Sequence, residues 1–115
     1  MQLATILTLF TTASVAYAWR FTAYSLKEYK GDKILDRSGN ALTNNLCIDI
    51  IENDNRMSSF KWNQGGNPLC QFKLFDRHGC RGSPFAISTT SWEVDAISPR
   101  NDNKASSVWF DCLRW

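Results

Sequence analysis

One oxygen-rich phrase occurs twice in the chain: Asp54-Asn55-Arg56-Met57-Ser58-Ser59-Phe60 and, 48 positions later, Asp102-Asn103-Lys104-Ala105-Ser106-Ser107-Val108. Each copy brings carboxylate, amide and hydroxyl oxygens into a short loop, to which the backbone carbonyls of Arg56 and Lys104 can be added. That is hard-cation chemistry, since calcium takes about six to eight oxygen ligands in a tolerant geometry. Asp and Asn also serve ordinary turns by bonding their own backbone, so a single copy would read only as a polar turn before a strand. The repetition carries more: it predicts two homologous structural units with oxygen donors at matching places, as a pair of calcium sites requires.

Residues 1–18, MQLATILTLFTTASVAYA, hold no charged side chain and end in Ala16-Tyr17-Ala18, a small-x-small cleavage pattern. The segment reads as a secretory signal peptide. Thr8, Thr11, Thr12 and Ser14 interrupt it too often for the about 20 mostly apolar residues of a membrane span. Residues 19–115 then form a single small domain, near the lower end of comfortable core size. Its four cysteines, Cys47, Cys70, Cys80 and Cys112, are an even set in a secreted domain and predict two disulfides, with all three pairings open at this point. Zinc is disfavoured, because no Cys-x-x-Cys pair exists and His78 is the only histidine. A net charge of +2, with basic residues scattered among acids, argues against nucleic acid or an anionic membrane as partner.

The donor loops need elements to hold them, and the local signals are those of strands. Arg20–Tyr24, Leu46–Ile51, Cys70–Phe75 and Ser107–Cys112 mix apolar and polar positions at short range and are rich in aromatic and β-branched residues. Helical periodicity is absent. Breakers recur between these runs, at Gly31-Asp32, Ser38-Gly39-Asn40, Gly65-Gly66-Asn67-Pro68, His78-Gly79, Gly82-Ser83-Pro84 and Ser98-Pro99. Short strands at such spacing predict an all-β sandwich.

The repeat extends to what precedes each phrase. Tyr24-Ser25-Leu26-Lys27-Glu28-Tyr29-Lys30-Gly31 stands before the first, and Phe75-Asp76-Arg77-His78-Gly79-Cys80-Arg81-Gly82 before the second. Each half thus holds a strand, an aromatic, a hairpin closed by glycine, a looser middle and the strand of the repeated phrase. In these residues the chain resembles the βγ-crystallin family. That family's Greek-key unit carries an aromatic-x4-aromatic-x-Gly hairpin, matched by Tyr24, Tyr29 and Gly31, and a calcium motif (Asn/Asp)-(Asn/Asp)-x-x-(Ser/Thr)-Ser, matched by both phrases. The resemblance spans residues 20–112. Cys80 departs from it by standing where the second hairpin should carry its second aromatic, which puts that corner in question and suggests a disulfide in its place.

The resemblance implies two Greek keys, at about 19–64 and 69–115, stapled by disulfides, with the third strand of each unit joining the sheet of the other. It nominates Ser58 and Ser106 as side-chain ligands, with Asp54, Asn55, Asp102 and Asn103 contributing within paired sites and up to two calcium ions bound. Ser59 and Ser107 become structural, bonding the hairpin of their own unit, and residues near Glu28 and His78 add backbone carbonyls. The charges of Arg56 and Lys104 weaken a cation site unless their side chains swing away, which sets the expected affinity in the weaker extracellular range of about 10⁻⁵ to 10⁻³ M. The same strand exchange makes Cys47 and Cys112 neighbours and leaves Cys70 with Cys80, and those are the bridges the resemblance implies.

Two other chemistries are weighed against this one. The five tryptophans, Trp19, Trp62, Trp92, Trp109 and Trp115, would suit a sugar-stacking platform, although tryptophans in a small β domain usually serve the core or its edge. Catalysis has little to stand on: His78 sits at a hairpin tip, no Gly-x-Ser-x-Gly elbow occurs, and Glu52 with Asp54 or Glu93 with Asp95 are neighbours in loops, not acids facing across a cleft. The expectation is a secreted, non-catalytic, monomeric calcium-binding protein with a structural or recognition role outside the cell. The alternative is a small secreted toxin or effector of crystallin-like fold that binds a cell-surface or cell-wall component, with calcium incidental. A lectin is the weaker third reading.

Overall fold

Buried and half-buried side chains largely alternate along Cys70–Phe75 and Ser107–Cys112, as expected of strands with one face on a core. The computed structural model of the protein describes residues 18–51, 55–65 and 70–112. The leader expected over residues 1–18 lies outside these except for Ala18, and Glu52, Asp54 and Trp115 lie outside them too. Eight strands follow in chain order: β1 (Ala18–Leu26), β2 (Lys30–Asn40), β3 (Leu46–Asp49), β4 (Ser59–Asn63), β5 (Cys70–Phe75), β6 (Ala86–Ser88), β7 (Trp92–Val94) and β8 (Ser107–Cys112). One short 3-10 turn, Lys27–Tyr29, joins β1 to β2.

The strands make two antiparallel four-stranded sheets, ordered β2-β1-β4-β7 and β3-β8-β5-β6. Three strands of each sheet come from one half of the chain and the fourth from the other: β3 lies beside β8, and β7 beside β4. Two Greek keys are thereby interleaved, as the resemblance implies. The β2 strand was not expected, because its glycines and charges resemble a loop. It is an edge strand, where charge is tolerated. Its Gly39 faces Trp19 so closely that a Cβ would lie 2.7 Å from the indole ring.

Between the sheets lies a largely aromatic core. Phe21, Phe60 and Trp62 of the first sheet meet Phe72 and Phe110 of the second, with Phe21 and Phe72 centroids 5.2 Å apart and Trp62 and Phe72 likewise 5.2 Å. Trp19, near the start of the described chain, is 1 % exposed, stacks on Phe110 at 4.3 Å and donates its indole N–H to Thr43 Oγ1 at 2.9 Å. Such pairs each contribute about 0.5–1.5 kcal/mol beyond the burial itself. Trp19 and Trp62 are therefore core residues. Trp92 is partly exposed at the sandwich edge, its ring against Phe60, while Trp109 lies on the outer face of the second sheet under Lys73 Nζ.

The disulfides correct the expected pairing. The bridges are Cys47–Cys80 and Cys70–Cys112, not Cys47 to Cys112 and Cys70 to Cys80. Strand parity is the reason. Cys47 lies opposite Trp109 on the outer face of its sheet, whereas Cys112 shares the inward face with Val108 and Phe110. Cys70 is directly opposite Cys112 in the β5/β8 pair, and both are buried. Cys47 is left to meet the tip of the second hairpin, where Cys80 sits.

Each hairpin is tied down by a serine of its own unit. Ser59 Oγ accepts the Tyr29 N–H at 3.1 Å and donates to the Leu26 carbonyl at 2.6 Å. Ser107 Oγ accepts the Cys80 N–H at 3.0 Å and donates to the Arg77 carbonyl. Both serines are fully buried, as the structural role assigned to them requires. The hairpins repeat even their strained backbone: Glu28, Tyr29 and Gly31 in one and Gly79, Cys80 and Gly82 in the other all have positive φ. At Gly31 a side chain would run into Ser25 Oγ and Leu26, so the position admits only glycine.

Two predictions follow from this packing. Ser59→Ala and Ser107→Ala each leave a buried N–H and carbonyl unpaired and are expected to cost about 2 kcal/mol or more in urea unfolding. Trp62 Nε1 is buried with no hydrogen-bond partner among the described residues. Trp62→Phe deletes that orphan donor, which offsets the lost packing, so it should change stability by less than about 1 kcal/mol, whereas Trp19→Phe, losing the Thr43 bond, should cost about 2 kcal/mol.

Candidate metal centre

The second motif serine of each pair points into its own hairpin, and successive residues of a strand point to opposite sides. Ser58 and Ser106 are thus aimed the other way, toward the loop of the opposite unit. Ser58 Oγ donates to Asp102 Oδ1 at 2.6 Å and lies 3.4 Å from Asn103 Oδ1. Ser106 Oγ donates to Asn55 Oδ1 at 3.0 Å. The fifth-position serine of each phrase therefore meets an acid or amide position of the other phrase. Asp54, the first-position partner in the Ser106 loop, lies outside the described residues.

A mirrored set of backbone bonds holds the two loops against each other. The Asn103 N–H bonds the Met57 carbonyl at 3.1 Å, and the Asn55 N–H bonds the Ala105 carbonyl at 3.2 Å. Ile97 N–H reaches the Ser58 carbonyl and Ile50 N–H the Ser106 carbonyl, both at 2.9 Å. Asn55 and Asn103 both take left-handed φ, 60° and 61°, a conformation that asparagine accepts more readily than most residues. Beneath the loops, Met57 and Ala105 are each 1 % exposed and plug the core, with Ile50 and Ile97 buried beside them. The two variable positions of the motif are thus unlike: one faces out as Arg56 or Lys104, the other is a core anchor.

The hairpin tips close the two ends. Glu28 N–H bonds the Asp95 carbonyl at 2.6 Å, Gly79 N–H bonds Asp49 Oδ1 at 2.6 Å, and His78 Nε2 lies 3.3 Å from the Ile50 carbonyl. The spacing of the repeat does not reveal the part of Asp49, since no acid stands at the matching place in the other half. Acidic groups collect at the first tip: the Tyr29 phenol is held above its ordinary pKa by burial first, then by the charges of Glu93 and Asp95. Arg56 does swing away, its guanidinium lying 3.8 Å from Asp32 Oδ2, and Lys104 is exposed.

Chemically the Ser58 loop offers a carboxylate, an amide carbonyl and a hydroxyl, all oxygens, and the Ser106 loop a hydroxyl and an amide among the described residues. This donor set, all oxygen with no thiolate, suits a hard cation better than a soft one. Among the described residues no three His, Cys, Asp or Glu side chains are grouped to hold a metal.

No protein-family model matches the chain, and no curated protein does. Solved structures do. The N-terminal domain of protein S is 17% identical with a TM-score of 0.55, the match covering 84% of this chain and 99% of that one. A βγ-crystallin domain from Flavobacterium johnsoniae is 17% identical with a TM-score of 0.54, covering 83% and 97%. A clostrillin double mutant carrying histidines for two serines, in complex with nickel, is 14% identical with a TM-score of 0.54, covering 80% and 97%. These likenesses, with two four-stranded sheets that exchange one strand, show that the chain has the βγ-crystallin fold.

Proposed function

We propose that the protein is a secreted, non-catalytic calcium-binding domain that takes up to two ions in the paired loops. The observation that carries the reading is the cross-pairing of Ser58 with Asp102 and Asn103, and of Ser106 with Asn55. Asp102, Asn103 and Ser58 would hold one ion, and Asn55 and Ser106, with Asp54 from the first phrase, the other, with backbone carbonyls such as those of Arg56 and Lys104 completing each shell. The withdrawal of Arg56 to Asp32 removes one of the two charges that oppose a cation. Metal binding has a parallel in the nickel complex of the clostrillin mutant, a protein of the same fold. Secretion is supported by the leader-like residues 1–18 and by two disulfides, bonds that persist in oxidising compartments. Among the described residues no helix is long and apolar enough to cross a membrane.

Calorimetric titration of calcium into the metal-stripped protein tests the proposal. Dissociation constants of about 10⁻⁵ to 10⁻³ M are expected. Calcium at about a hundred times the dissociation constant should add about 2.7 kcal/mol for each ion bound and raise the melting temperature by about 10–20 °C per site. Asp102→Ala should remove one binding event, and Asp54→Ala combined with Asp102→Ala should remove both together with the thermal shift. Absence of heat and of any shift in the unsubstituted protein rejects the reading. Full biological activity in the double variant would make ion binding incidental and turn attention to a cell-surface or wall target.

A further inference from the structure

The two disulfides differ sharply in access. Cys70 and Cys112 are 1 % and 3 % exposed in the core, whereas Cys47 is exposed and Cys80 half-buried on the outer face of the second sheet. The outer bridge borders an open cleft of about 400 Å³ that is also lined by Lys73, Gly79 and Trp109. Access and the stability of the departing thiolate govern thiol–disulfide exchange, and the open cleft supplies the access.

The outer bridge also has no counterpart in the other unit. Cys80 occupies the hairpin position that Tyr29 fills in the first half, where the corner is held without a covalent bond, by the Tyr29 ring against Tyr24 with centroids 5.9 Å apart and by Lys61 Nζ over that ring at 4.4 Å. In the second half the tip is fastened covalently to β3, two residues before Asp49. Asp49 in turn receives the Gly79 N–H, and Ile50, next in sequence, meets both His78 and the Ser106 carbonyl. The bridge thus fixes the tip, the end of β3 and the Asn55/Ser106 loop as one body.

We infer that Cys47–Cys80 is a thiol-exchangeable latch whose reduction by a dithiol loosens the Asn55/Ser106 loop while leaving the Ser58/Asp102 loop intact. A thiolate of the dithiol attacks Cys47 Sγ, the bond between the sulfurs breaks and its electron pair leaves on Cys80 Sγ. The second thiol of the reductant then attacks the mixed disulfide and frees Cys47 as a thiolate. The dithiol ends as a cyclic disulfide, two electrons have entered the protein, and each protein thiolate takes up a proton. That one calcium affinity changes and the other does not rests on the function proposed above; the loosening itself does not.

Brief pulses of dithiothreitol on the oxidised protein, trapping with N-ethylmaleimide and peptide mapping test the access. Cys47 and Cys80 should be labelled at least about tenfold faster than Cys70 and Cys112. Amide exchange followed by NMR on the partly reduced protein, and on Cys47→Ser/Cys80→Ser as a control for the bulk of the label, tests the latch. The Gly79, Cys80 and Asn55 amides should exchange at least about tenfold faster than in the oxidised protein, while the equivalent Tyr29 and Asn103 amides stay unchanged. Equal labelling of all four cysteines, or exchange that rises on both sides or on neither, overturns the inference. Calcium titration of the same samples should show one binding event weakened and the other retained. If the oxidised protein binds no calcium, the proposed function fails, while labelling and exchange still decide the latch.

Discussion

A pair of consecutive serines does two unlike jobs in each half of this protein because a strand turns alternate side chains to opposite sides. Ser59 and Ser107 are sealed against their own hairpins, and that fixes the direction of Ser58 and Ser106 across to the opposite loop. The backbone bonds of Ser58 to Tyr24 and Ile97, and of Ser106 to Phe75 and Ile50, hold that direction from the other side. Stability and site geometry are thus set by neighbouring atoms of one dipeptide, which explains why the phrase is kept so closely alike in two halves that otherwise share little.

The halves diverge where the fold permits. Their hairpins use the same left-handed residues, yet one corner is built from a tyrosine pair and the other from a covalent bond to the partner unit. The plugs under the loops differ too, a methionine in one and an alanine in the other, each nearly without solvent contact. Met57 fills more volume than Ala105, so the two loops rest on floors of different bulk. Equality of motif does not mean equality of support.

How much of this was legible beforehand depends on what kind of signal each feature leaves. Cys70–Phe75 and Ser107–Cys112 were readable to the residue, because both are short runs of aromatic and apolar residues interleaved with polar ones. The serine roles followed from the repeat and the resemblance together. β2 escaped because its glycines look like breakers, and only the ring of Trp19 lying over Gly39 explains one of them. The disulfides went astray through a face, not a neighbourhood: β3 was placed correctly beside β8, but Cys47 and Cys112 stand on opposite sides of that sheet. The alternation of Trp109 with Val108 and Phe110 along β8 carries the parity that separates them. Asp49 left no trace in the repeat, since the equivalent amide in the first hairpin, that of Glu28, bonds a backbone carbonyl, that of Asp95, and not a side chain.

The exchange of β3 and β7 has a consequence for how such a chain can exist at all. Neither half can complete a four-stranded sheet from its own strands, so a polypeptide holding one unit alone would carry an unfilled place in its sheet and a strand with nowhere to lie. Two copies of that polypeptide, related by a twofold axis, would satisfy each other as the two halves do here. In those terms the protein is built like a pseudo-twofold dimer with its subunits in one chain, and the link between β4 and β5 makes certain an encounter that would otherwise depend on concentration.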